Sequence, residues 1–482
     1  MTASYNLSQL GSNYLQGGTG SVARTTASKL QESVSVKDFG AVGDGSNDDT
    51  TAITAAFTAA AAGSILSFPP GTYKVSGVNV TGKAITLTGY GATLNCTGAT
   101  GAIQKTDHGN KLIVKGLSFT GSGAGINFTA APSNNTGNEL LVCDCNFATS
   151  AGTYGIYSIG GREHIIKNCY FTGINTGSGI YFSQSVSPFV SNCIFAGAPT
   201  APYGVNYPGT NTGYDAGLIL RDCEIMGWAT GVSIVGLDTW SVLDGCTIDF
   251  NTNSLFLATN EASLTNNYIG SNNNNAALHI GSSGAYFCTN IIVTNNILTG
   301  HSQTGNLFDA VLIDGAISPN EIQICNNSIA FFSRYGIQFT MTNTNMFIHN
   351  NSFSQGAVGS VSPIYCSLGT SDSAISIKHN FFNNGATITG LNVTFAQVNE
   401  NIGCNTEGRG QVVVGSGVST YNIAHGLNYT PAVSDCQVVA SNAEAANKNV
   451  YVSSVDATNL VAGFTSATAA NAGVNWRIRR GV

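Results

Sequence analysis

The sequence predicts an all-β fold, a single-stranded parallel β-helix (a solenoid) with an N-terminal capping helix and a C-terminal antiparallel β-sandwich. One observation is a pattern that returns ten times between Val142 and Phe382. It reads apolar, any residue, Asn/Asp/Gly/His, Cys or Asn, any residue, then Phe, Ile or Leu. Val142 to Phe147, Ile166 to Phe171, Val190 to Phe195, Leu220 to Ile225 and Leu243 to Ile248 carry Cys in the fourth place (Cys145, Cys169, Cys193, Cys223, Cys246). Leu264 to Ile269, Val293 to Leu298, Ile324 to Ile329, Ile348 to Phe353 and Ile377 to Phe382 carry Asn there (Asn267, Asn296, Asn327, Asn351, Asn380). Copies lie 21 to 31 residues apart, the loose period of a solenoid whose insertions are confined to turns. The polar pair marks a sharp bend between two strands, where Asn tolerates a left-handed backbone and its amide can pair with the next coil. A second column, Gly125-Ile126, Gly155-Ile156, Gly179-Ile180, Gly204-Val205, Gly231-Val232, Gly336-Ile337 and Gly390-Leu391, opens another short strand in each coil. No helix-period segment intervenes among the coils, the leucine spacing of leucine-rich repeats is missing, and the period is too short for propeller blades.

The elements follow in chain order. Residues 1–33 form a Gly- and Asn-punctuated N-terminal segment, with helical character from Thr25 to Glu32. Asp49 is placed to cap a helix from Thr50 to Ala62, whose Ile53, Phe57 and Ala60 line one face. That amphipathic helix is the expected lid over the first coil. Ile65 to Phe68, a Pro69-Pro70-Gly71 turn and Thr72 to Val75 begin the coils, which run to Ile402 within a β-helix domain of residues 34–404. From 405 to 482 short alternating runs predict a sandwich: Gln411 to Val414, Thr420 to Ala424, Ala432 to Ala440, Asn449 to Val455, Leu460 to Thr465 and Val474 to Arg479. Trp476 is assigned to its core.

Composition narrows the function. Charged residues are only 9% of the 482, glycines number 58, and the net charge is −7. A chain this poor in Lys and Arg clusters does not fit nucleic acid or an anionic membrane. No apolar run reaches membrane-spanning length, so membrane insertion is not expected. The start at Met1 lacks a secretory signal, so synthesis in a cytoplasm is expected. Five of the twelve cysteines stand in one stacked column. A linear ladder does not offer tetrahedral ligands, and a reducing compartment disfavours disulfides, so they are read as packing residues with no metal and no cofactor. The glycines around Gly40 to Gly45 lack the Gly-Lys-Ser/Thr ending of a phosphate loop.

Val34 to Phe57, with Phe68-Pro69-Pro70-Gly71-Thr72-Tyr73, resembles the opening of the pectate-lyase-like right-handed β-helices. Gln16 to Gly45 is similar to the start of bacteriophage tailspike proteins. This resemblance covers the first 75 residues closely and the coils by architecture. It implies right-handed coils, a homotrimer, attachment to phage tail proteins through the N-terminal segment, location in the virion, and a bacterial surface polysaccharide as ligand. His425-Gly426-Leu427 with Thr430-Pro431-Ala432 resembles tail-fibre C-terminal modules, which trimerise a stalk or hold sugars.

A β-helix exposes a long shallow groove suited to a polymer, and hydrolysing a glycan needs two carboxylates in distinct protonation states. In so charge-poor a chain, a cluster of carboxylates in the middle coils stands out: Asp215, Asp238, Asp244, Asp249, Glu261, Asp309, Asp314 and Glu321. Asp309 and Asp314 flank the strand centred on Val311-Leu312-Ile313, and Asp249 and Glu261 flank the one around Leu255-Phe256-Leu257. These four are the candidate catalytic residues. Asp244 aligns with Lys167 and Arg221 and reads as solvated surface. Trp240, Tyr214, Tyr207 and Tyr335 are candidates for stacking on sugar faces, with His279 and Arg334 beside them; His279 and Gln338 follow inward residues and should point outward. The sequence supports hydrolysis of a capsule or O-antigen. A polysaccharide lyase, or a spike that binds without cleaving, remains the alternative.

Overall fold

The computed structural model describes residues 13–14, 17–30, 32–131, 137, 139–148, 154–209, 216–236, 240–271, 276–281, 288–300, 309–315, 320–340, 345–354, 362–366, 374–383, 388–389, 396–402, 407–427 and 430–479. The fold is a parallel β-helix followed by antiparallel sheets. Two compact units divide the chain: residues 1–206 with 212–215, and residues 207–211 with 216–482.

In the first unit each coil contributes one strand to each of three parallel sheets. The first sheet carries Leu140–Cys143, Ile165–Lys167 and Phe189–Ser191. The second carries Asn146–Ala148, Tyr170–Thr172 and Ile194–Ala196, and the third Ile126–Thr129, Tyr154–Ile159 and Ser178–Ser183. The bend between first and second sheets is left-handed at the third position of the repeated pattern, with φ of 56° at Asp144, 53° at Asn168 and 51° at Asn192. The sequence reading gave that conformation to Asn generally, and the bend residue proves to be the one before the column of Cys or Asn. Side chains with a short polar arm, or glycine, fit this backbone best.

Stacking in register sets the core. Phe119, Phe147, Phe171 and Phe195 form a ladder with centroids 4.8, 4.8 and 4.5 Å apart and planes within 5°. The Gly column exists because this ladder lies against it. A Cβ on Gly155 would stand 2.6 Å from both the Phe171 ring and the Gly179 carbonyl. Beside it Cys145, Cys169 and Cys193 are buried free thiols, each with Sγ 3.2 Å from the carbonyl two residues earlier. Burial, with help from its two neighbouring thiols, pushes Cys169 well above the ordinary range, so it stays protonated.

The lid is the helix Thr50–Ala59, with Ile53, Ala56 and Phe57 buried. It ends before Ala62 because Ala60 is already extended, and Lys83 Nζ bonds the Thr58 and Ala60 carbonyls at 3.0 and 2.6 Å. Asp49 occupies the N-cap position but makes no capping bond. Its carboxylate, 2% exposed, instead accepts from Val42 N at 2.6 Å and Gly43 N at 3.1 Å. The glycine-rich loop therefore claims it, in keeping with the absence of a phosphate-loop ending. The neighbouring Gly71 lets the chain pass close by, since a Cβ there would be 2.7 Å from the Gly43 carbonyl.

Coils of the same three-strand kind make up the second unit, where the column holds the thiols Cys223 and Cys246 and then, from Asn267 on, an amide ladder. Asn267, Asn296, Asn327, Asn351 and Asn380 each donate from Nδ2 to the next Oδ1 at 3.0 to 3.1 Å, the last of them to Asn401. Each next Oδ1 also accepts the preceding backbone N–H at 2.9 Å. Asn401 belongs to an eleventh copy, Val398 to Gly403, disguised by Glu400 at the bend (φ 58°) and by the absence of a closing apolar residue.

Residues 407–427 and 430–479 form two three-stranded antiparallel sheets. One pairs Glu407–Val414 and Cys436–Ala440 with Ala472–Arg479; the other pairs Thr420–Ala424 and Tyr451–Val455 with Asn459–Gly463. Ile423, Leu460 and Ala462 of one sheet meet Ile478 of the other, and Trp476 packs half-buried against that cluster. A helix, Ala443–Asn447, capped by Asn442, is an addition the alternating pattern did not predict.

Candidate functional site

The outer face of the third sheet in the second unit gathers the most chemistry. Its inward column is Val232, Leu255, Leu278, Val311, Ile337 and Ile364, in register and fully buried. One residue further on, the outward column runs Ser233, Phe256, His279, Leu312, Gln338 and Tyr365. Period-two alternation fixes this placement once the inward residues are known.

Two ion pairs and two stacked rings occupy that face. His279 packs edge-on against Phe256 at 5.0 Å and its Nε2 lies 2.6 Å from Asp314 Oδ1. Gly281, paired with Asp314, makes room: a Cβ would stand 2.8 Å from that oxygen and 2.9 Å from the imidazole nitrogen. Asp309, 1% exposed, receives Arg334 Nε at 2.9 Å, Arg334 Nη2 at 2.6 Å and the Tyr335 backbone N–H at 3.1 Å. Burial raises the Asp309 carboxyl above its ordinary value, and Arg334 opposes that shift. Tyr335 stacks on Tyr365 at 4.4 Å and 16°, with the Arg334 guanidinium 5.6 Å over the Tyr335 ring. Gln338 Oε1 is buried without a hydrogen-bond partner among the described residues.

The structure places the other predicted residues elsewhere. Asp249 ends a strand of the second sheet, 6% exposed, and its Oδ1 accepts from Phe250 N at 2.7 Å. Glu261 is an exposed, left-handed corner residue (φ 57°), at the bend position that Asn290 (φ 53°) and Glu321 (φ 56°) take in the following coils. The expectation that the four carboxylates border one face is therefore corrected: only Asp309 and Asp314 do. Trp240 is 43% exposed and its ring lies over Gly217, at the start of a first-sheet strand. Tyr207 is fully buried and offers no face to a sugar, because the alternation of its strand turns it inward. Tyr214, Asp215 and Asp238 lie outside the described residues, as does Gly390-Leu391.

Sequence reasoning missed Phe256, Tyr365, Tyr157 and Tyr181 on third-sheet outer faces. The first two follow Leu255 and Ile364, which no glycine precedes, so the Gly-apolar signal was silent there. The others follow Ile156 and Ile180, where the rule that exposed His279 would have found them. A separate groove of about 530 Å³ lies on the second sheet, lined by Tyr268, Ile297, Thr299, Ser328, Ala330 and Phe331. Among the described residues its lining has no carboxylate, imidazole or cation, the groups that hydrolysis or elimination uses. Among the described residues no three His, Cys, Asp or Glu side chains gather as metal ligands, and no helix is long and apolar enough to cross a membrane.

Comparison with known proteins agrees with the fold. The family model described as rhamnogalacturonase A/epimerase, pectate lyase-like, matches residues 33–233. No curated protein sequence matches the chain. Among solved structures, a tailspike protein of E. coli bacteriophage HK620 in complex with a pentasaccharide superposes with a TM-score of 0.57 at 14% identity, covering 98% of each chain. The tailspike of Pseudomonas phage phi297 gives 0.55 at 12% identity over 94% of this chain and 100% of its own. The A-module of an Azotobacter vinelandii mannuronan C-5 epimerase gives 0.54 at 16% identity over 76% of this chain and 100% of its own. At these identities the likeness is one of fold.

Proposed function

We propose that the chain is a tailspike-type protein that binds a bacterial surface polysaccharide along the outer face of the third sheet in its second unit. The observation that supports this most is the Tyr335–Tyr365 stack beside the Arg334–Asp309 and His279–Asp314 pairs. Aromatic faces with fixed polar groups around them match the alternating apolar faces and hydroxyl rims of sugars. The β-helix fold shared with two phage tailspikes, one of them holding an oligosaccharide, fits the same reading. The proposal includes a virion-borne homotrimer attached through residues 1–33, with residues 405–482 trimerising the stalk or holding sugar. Retention of the protein on purified capsule or O-polysaccharide, lost in Tyr335→Ala, Tyr365→Ala, tests it; unchanged retention in that variant refutes it.

Cleavage by hydrolysis is the finer step of this proposal, and Asp314 is favoured for it. It is the carboxylate on this face that stays about a third exposed, with His279 holding it in place. Asp309 is engaged by Arg334 and Tyr335, so the partner acid that hydrolysis needs is sought in an adjoining subunit. A lyase is disfavoured, because the guanidinium it would turn toward a uronate is already neutralised by Asp309. New reducing ends without the ultraviolet absorbance of an unsaturated uronate would distinguish hydrolysis from elimination, and neither signal would leave binding alone.

A further inference from the structure

The third sheet of the first unit carries a tyrosine cluster that the reading above does not use. In register along its outward column stand Asn127, Tyr157, Tyr181 and Asn206. Tyr157 and Tyr181 are stacked, 4.9 Å between centroids and 16° between planes. Tyr154 closes the cluster at 4.7 Å from Tyr157 and 5.5 Å from Tyr181, turned 45° and 61° to them. All three rings are half-buried, so each keeps part of a face or edge toward solvent.

Among the described residues, the two outer columns of this sheet carry no charged side chain. The outward column reads Asn79, Gln104, Asn127, Tyr157, Tyr181 and Asn206, and the parallel column Tyr154, Ser178 and Tyr203. Burial raises the Tyr154 and Tyr157 hydroxyls above their ordinary value, and the further contributions come from neighbouring tyrosines. These phenols therefore act as neutral donors and acceptors. On the second unit's face, by contrast, every coil from His279 to Arg334 carries a charged or ionisable group.

We infer that the Tyr154–Tyr157–Tyr181 cluster, with Asn127 and Asn206 at its ends, is a second carbohydrate subsite that takes uncharged pyranose units. The inference rests on the polysaccharide-binding reading and adds a separate location and a ligand class. Rings that rise by one coil, ~4.8 Å, per step offer successive sugars a continuous apolar floor. The amides at either end supply donors and acceptors for hydroxyls without the desolvation cost of burying a charge. Among the described residues of these columns an anionic sugar would find no cation to offset its own desolvation.

The test uses the full chain and a printed panel of purified bacterial polysaccharides, some with uncharged repeats and some containing uronate. Wild-type protein is expected to saturate at least one polysaccharide with uncharged hexoses. Tyr157→Ala, Tyr181→Ala is expected to need at least ~10-fold more protein for half-saturation, the loss of one or two stacked rings. Tyr157→Phe, Tyr181→Phe keeps the planes and is expected to stay within about threefold, which separates lost stacking from lost fold. If the alanine pair leaves half-saturation unchanged while Tyr335→Ala, Tyr365→Ala abolishes retention, the subsite is overturned and the first site stands. If neither pair alters retention, both are overturned. Retention on uronate polysaccharides alone overturns the uncharged class. A change of mass in light scattering with unaltered binding makes the cluster a contact between copies of this chain and overturns the proposal.

Discussion

Asp309 and Arg334 are held by two parallel hydrogen bonds, 2.9 Å from Nε and 2.6 Å from Nη2, with the carboxylate almost wholly buried and the guanidinium about a third exposed. This bidentate geometry fixes the turn that carries Tyr335, because the Tyr335 N–H donates to the same carboxylate at 3.1 Å.

Removing Arg334 should therefore act through the fold as well as through the face. Arg334→Ala leaves a buried carboxylate with one backbone donor, and a loss of about 3 kcal/mol is expected, since one partner of a buried pair is gone. Arg334→Lys keeps the charge but not the fork and should recover only part of it. Thermal midpoints of the two variants check this; equal, unchanged midpoints would mean that the pair is ornamental.

Asp314 should behave in the opposite way. Its bond to His279 is partly exposed, so Asp314→Asn is expected to cost under ~1 kcal/mol of stability. If Asp314 is the hydrolytic carboxylate, release of reducing ends should fall by about 10²–10⁴-fold while retention on the polysaccharide holds. Cleavage at the wild-type rate in Asp314→Asn removes it from any catalytic role.

The amide ladder makes a third prediction. Asn327 donates to the Val293 carbonyl and to Asn351, and accepts from Asn296 N and Nδ2. Asn327→Ala strands buried partners on both neighbouring coils and should cost about 2–4 kcal/mol. Cys193→Ala removes a small apolar group whose sulfur makes only weak contacts, among them the Ile166 and Ser191 carbonyls, and should cost only about 1 kcal/mol. Chemical denaturation of the two variants compares them directly, and equal losses would deny the ladder any special part.

The contrast between the ladders also shows what the sequence could disclose. Columns that face the core repeat their chemistry, because each residue packs on its own kind in the next coil; hence Cys169, Asn327 and Phe171 were legible from spacing alone. Asn401 escaped because its copy keeps the amide but not the apolar end. Outward residues repeat far less, Tyr157 and Tyr181 being an exception, and insertions of variable length hide which of them are neighbours. Asp249 and Asp309 looked equivalent, each preceding a third-sheet strand. The chain instead closes the second sheet at Asp249, whereas Asp309 sits beyond a turn within reach of Arg334. Asp49 shows a similar competition at the lid, where two loop N–H groups won a carboxylate that helix rules assign to the N-terminus.

Acid should weaken the first unit through His164. Its ring is buried, packed edge-on to Phe128 at 4.6 Å, with Nδ1 3.1 Å from Ser158 Oγ and Nε2 lacking a hydrogen-bond partner among the described residues. Burial lowers its pKa from 6.5 to about 4; Glu139 pulls the other way, and His108 and Lys105 add small depressions. A depressed histidine is neutral in the folded chain and takes up its proton more readily when unfolded. Its contribution is thus complete above pH 6.5 and is lost as pH falls from there toward 4. Between pH 7.5 and 4.5 that loss is roughly 2.5 kcal/mol. Carboxylates elsewhere add their own acid dependence, so the informative quantity is the difference between the wild type and His164→Gln, which cannot titrate but can still bond Ser158. Denaturation at the two pH values should show the variant losing less than the wild type by about that amount. Parallel losses in the two proteins would mean that His164 is protonated in the folded chain after all, with its Nε2 hydrogen turned to an acceptor.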